Sequence, residues 1–134
     1  MAANTVPIYP IAPALAQVSL VAAAPVTSRA NIVGTTGLVE LSAATTNGRR
    51  VDKIEVKGQG TTVASIVSIW AYDGTTSRLI DEIDVPLNGS ASTTVDSSLV
   101  SKSYNNLVLP PNTRLYVSQT IATNVNITLY GGDY

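Results

Sequence analysis

The chain has 134 residues, among them no Cys, no His and no Phe, which excludes disulfides, thiolate or imidazole metal sites and His- or Cys-based catalysis. Eight basic and nine acidic residues give a formal charge of −1, without the concentrated positive face that a nucleic-acid binder needs. Aromatic residues make up only 5% of the chain, so its core must be built from Val, Ile, Leu and Ala, and subunit contacts would add burial that such a core lacks.

Residues 1–30 hold four of the seven prolines (Pro7, Pro10, Pro13 and Pro25) and a single charge, Arg29. Each Pro fixes φ and removes an amide donor, which rules out a regular helix or a central strand. The pattern predicts an extended arm over residues 1–34. The apolar run in residues 14–24 is too short to span a bilayer, and no Lys or Arg precedes it, so neither a membrane span nor a signal peptide is expected. The arm is nonetheless apolar, and a free tail of that composition would be sticky in water. It is expected to be buried, either against its own domain or, as the favoured alternative, against a neighbouring subunit.

From residue 35 to residue 134 the hydrophobic period is two, which predicts strands. Residues 37–43 alternate Val39, Leu41 and Ala43 with Leu38, Glu40 and Ser42. Residues 51–57 set Ile54 and Val56 against Lys53, Glu55 and Lys57, a half-buried strand. Residues 63–72 are apolar on both faces apart from Ser65 and Ser68, as a covered central strand would be, and place Trp70 near a sheet edge or subunit contact. The Asp73-Gly74 pair predicts a hairpin into residues 78–85. Residues 113–121 and 124–130 alternate cleanly, with Pro110-Pro111-Asn112 and Ala122-Thr123-Asn124 as their turns. Seven or eight such strands predict an all-β, antiparallel β-sandwich of jelly-roll type, carried by a single domain over residues 35–134.

Candidate chemistry is sparse. Asp81, Glu82 and Asp84 crowd together, and a Ca²⁺ site or a glycosidase acid/base pair would use such carboxylates. On a strand, however, Glu82 and Asp84 share a face while Asp81 points the other way. Basic partners such as Arg78, Lys53 or Lys57 would satisfy them without metal, and no Asn/Asp/Gly ligand loop is present. Lys57-Gly58-Gln59-Gly60 leads into no helix and reads as a turn, not a phosphate cradle. Tyr116 and Tyr130, on outward faces of strands expected to be adjacent, suggest either interface tyrosines or, with Asn124 and Asn126, a sugar-stacking platform. No catalytic residue, cofactor or metal is expected.

The segments NGRRVDKIEVK (47–57), GTT (60–62), VSIWAYDG (67–74), RLIDEIDV (78–85), LVLPPNTRLYVS (107–118) and GGDY (131–134) resemble small β-sandwich structural proteins of tailed bacteriophages, several of which look like capsid decoration, or cement, proteins. The resemblance covers roughly residues 35–134 and lies in strands and turns, not in a catalytic signature. It implies a non-enzymatic virion protein on the capsid exterior, forming homotrimers and bridging the major capsid protein, with no nucleic-acid or membrane partner. Interface candidates are then Ile8, Tyr9, Ile11, Leu15, Trp70, Tyr116 and Tyr130. The alternative is a tail-associated or surface adhesion module for host glycans, and a small hydrolase using Asp81, Glu82 or Asp84 stands behind both.

Overall fold

The computed structural model describes residues 12–20, 24–30 and 36–134. These form eight strands and, among the described residues, no helix: β1 (Ala12–Leu20), β2 (Val39–Ser42), β3 (Arg49–Gly58), β4 (Ser65–Tyr72), β5 (Ser77–Val85), β6 (Leu99–Leu109), β7 (Arg114–Gln119) and β8 (Val125–Asp133). They build two antiparallel four-stranded sheets, ordered β1-β8-β3-β6 and β2-β7-β4-β5. The sheets face each other across one aliphatic core, a β-sandwich, in which Ile54, Ile127 and Leu129 of the first sheet meet Ile69, Leu115 and Val117 of the second. Each of these is fully buried, as the period-two pattern requires.

The expected arm is in part a strand. Residues 12–20 pair along their whole length with β8, from Ala12 opposite Asp133 to Leu20 opposite Val125. Pro13 is tolerated there because β1 is an edge strand, where a missing amide donor can face solvent. Ala14, Ala16, Val18 and Leu20 turn inward while Leu15, Gln17 and Ser19 turn outward. Of the two alternatives for the arm, these nine residues take the first and complete a sheet of their own domain. Residues 1–11, with the arm candidates Ile8, Tyr9 and Ile11, lie outside the described residues.

Residues 24–30 then cross the outer face of the second sheet. The Val26 amide donates to the Gln119 carbonyl beyond the end of short β2, Val26 packs on Trp70, and Arg29 reaches Glu82 on β5 at 2.8 Å. Gly37 is needed where the chain returns: a Cβ there would sit 2.2 Å from the Ala24 carbonyl oxygen, and its φ of 94° suits glycine.

β6 is a strand that the alternation did not reveal. Between the pairs Val51/Leu107 and Lys53/Ser103 its register shifts, so that Tyr104, Asn105 and Asn106 stand against Asp52 alone. Asn106 takes a φ of 63° within this bulge. The bulge breaks the period and re-aims Tyr104.

Candidate functional site

The carboxylate cluster at residues 81–84 is dispersed by its own strand. Asp81, opposite the core residue Ile69, points between the sheets, where Lys102 Nζ donates to it at 2.5 Å, the Tyr104 hydroxyl at 2.7 Å and the Glu82 amide at 2.8 Å. Burial alone would raise the Asp81 pKa, but these three donors outweigh it and hold the carboxyl below its ordinary value. Burial, followed by the Asp81 hydrogen bond, pushes the Tyr104 phenol well above its usual range. The trio ties edge strand β5 of one sheet to edge strand β6 of the other, so it is a structural latch. Its partners are Lys102 and Tyr104, not the Arg78, Lys53 or Lys57 expected from sequence. Glu82 pairs with Arg29, and Arg78 with Asp73 at 3.6 Å. Among the described residues no three Asp or Glu side chains converge as a metal would require.

The tyrosine platform does not form. β7 and β8 are consecutive in sequence but belong to different sheets, so Tyr116 and Tyr130 stand on opposite outer faces of the sandwich. Tyr116 meets Tyr72 edge-on, ring centroids 5.8 Å apart, beside Trp70. Tyr130 lies under Lys53, whose Nζ is 4.4 Å from the ring centroid, and donates its hydroxyl to Glu55 at 3.1 Å. The hydrogen bond from Lys53 is the main reason the Glu55 carboxyl titrates below its ordinary value, with the Tyr130 hydroxyl adding to it.

Trp70 is corrected as an interface candidate. It is fully buried on the outer face of central strand β4, capped by Val26, with Leu38, Leu79 and Tyr116 packed around the pair. Its indole N–H donates to Ser118 Oγ at 2.9 Å. It offers no surface to a partner, because Val26, Leu38, Leu79 and Tyr116 pack around it.

Leu15 is exposed on the outer face of the first sheet, directly across from Tyr130. Further along the same face Gln17 donates to Thr128 at 3.1 Å, while Ser19 and Gln59 both donate to Asn126 Oδ1. This face is an interlinked polar surface that carries an apolar pair, Leu15 and Tyr130. Sequence reading missed Lys102, whose signal was its place between Val100 and Tyr104 in the inward register of β6, and Val26, for which no local signal exists.

Neither a family model nor a curated protein sequence matches this chain.

Proposed function

We propose that the chain is a non-enzymatic structural protein of a phage virion, a jelly-roll subunit that decorates the capsid exterior and stabilises the shell by bridging capsomers. The observation that carries this reading is the strand order, β1-β8-β3-β6 over β2-β7-β4-β5. Folding a long antiparallel hairpin into two Greek keys generates that order, and the resulting architecture recurs in viral capsid and lectin domains. The face bearing Leu15 and Tyr130 supplies an apolar pair in a polar surround, suited to a contact repeated many times over a symmetric shell. In this reading Ile8, Tyr9 and Ile11 extend the contact, and a homotrimer is the unit that binds. The glycan-adhesion alternative loses the paired tyrosines on which it rested.

The test is co-sedimentation of the purified chain with empty capsids of the phage that encodes it. Saturable binding and a higher capsid melting temperature are expected. Absence of both would overturn the decoration role, and a monomer by light scattering at all concentrations would remove the trimer.

A further inference from the structure

The charges of this molecule are nearly all matched internally. Seven ion pairs (Arg29–Glu82, Arg49–Asp133, Arg50–Asp52, Lys53–Glu55, Arg78–Asp73, Lys102–Asp81 and Arg114–Glu40) engage seven of the eight basic and seven of the nine acidic residues. Outside these pairs stand Lys57, which donates to the Ser97 carbonyl, and the carboxylates of Asp84 and Asp96.

Asp84 is exposed and lies on the wall of an open groove of about 380 Å³ at the end of the sandwich where β4 begins and β5 and β7 finish. The rest of the groove is mostly aliphatic: Ala64, Ile66, Val85 and Ile121, with Ser65 and Thr120 contributing. The two hydroxyls are already used: Ser65 donates to the Ile121 carbonyl at 2.8 Å, and Thr120 accepts from the Ile66 amide at 3.1 Å. The same end exposes Val63 and Leu87, flanking the bridge between Thr62 and Asn88. An apolar floor is thus set beside one carboxylate that the protein itself leaves without a cation, on a chain that pairs almost every other charge.

We propose that this groove is a docking site for a protein segment presenting an aliphatic side chain next to a Lys or Arg. The aliphatic group displaces water from Ile66 and Ile121, and the adjacent cation meets Asp84. An acidic neighbour in the segment would be repelled, so the carboxylate sets specificity while the apolar floor supplies most of the binding. The inference stands apart from the virion reading, because it follows from the groove whatever protein carries the segment.

The test uses the full-length chain, ¹⁵N-labelled, titrated with three capped dipeptides: acetyl-Leu-Arg-amide, acetyl-Leu-Gln-amide and acetyl-Leu-Glu-amide. Saturable amide shifts centred on Ile66, Asp84, Thr120 and Ile121 are expected, with the Arg peptide binding roughly two- to five-fold tighter than the Gln peptide, the range for an exposed ion pair. The Glu peptide should bind weakest. In Asp84→Asn, which breaks no contact within the fold, the Arg and Gln peptides should bind alike while shifts at Ile66 and Ile121 persist. Shifts elsewhere, no saturable shift with any peptide, an equal response to Arg and Glu, or an Arg preference that survives Asp84→Asn would each overturn the proposal.

Discussion

Replacing Asp81 by Asn tests whether the contact between β5 and β6 holds the sandwich closed. The carboxylate accepts from Lys102, Tyr104 and the Glu82 amide, and its side chain is 18% exposed. Charge-assisted hydrogen bonds contribute about 1.5–3 kcal/mol each against about 1 for neutral ones. Lys102 is 44% exposed, so solvent screens its ion pair to about 0.2–1 kcal/mol. Neutralising Asp81 in place should therefore cost about 2 kcal/mol, which for a domain of this size lowers Tm by roughly 6–10 °C. Tyr104→Phe should cost a similar amount, and the double variant less than the sum, because both changes remove the same bond. Trp70, the only tryptophan and fully buried, reports unfolding by fluorescence in urea. The pH dependence has a definite sign. With its folded pKa lowered, Asp81 stabilises the protein above the unfolded value near 3.9, and that contribution is lost as pH falls further through the folded pKa. The gap between wild type and Asp81→Asn should accordingly close below about pH 4. If both single variants unfold within about 0.5 kcal/mol of wild type at pH 7, the latch contributes nothing and the reasoning is wrong.

Tyr104, whose folded pKa is raised, stabilises the protein below the unfolded tyrosine value near 10, and wild type should lose stability faster than Tyr104→Phe as pH climbs past it. Val26→Ala should cost about 1–2 kcal/mol and shift the Trp70 emission to the red, since Val26 is the buried side chain that caps the indole. A Cβ on Gly131 would lie 2.0 Å from the Arg50 carbonyl oxygen, so Gly131→Ala should force β8 away from β3 and cost roughly 3 kcal/mol or more, read as a lower urea midpoint. Deleting residues 1–30 removes β1 and uncovers Trp70, and should abolish cooperative unfolding.

Much of the sandwich was legible in the sequence because a strand's facing is local information. Val125, Ile127 and Leu129 alternate with Asn126, Thr128 and Tyr130, and the buried set is the first. The same rule correctly separated Asp81 from Glu82 and Asp84. Where a bulge interrupts the period, as at Tyr104, Asn105 and Asn106, alternation fails and β6 disappears from view.

What the sequence by itself determined is the chemistry that is absent and the face that each regular strand buries, since composition and period two need no partner to be read. Only the tertiary structure decided which strands are neighbours. That placed Tyr116 and Tyr130 on opposite sides, enlisted the Pro-bearing residues 12–20 as an edge strand, and carried residues 24–30 over Trp70. Pairings such as β1 with β8 join residues more than a hundred positions apart, and their choice depends on how the two aliphatic faces close over one core.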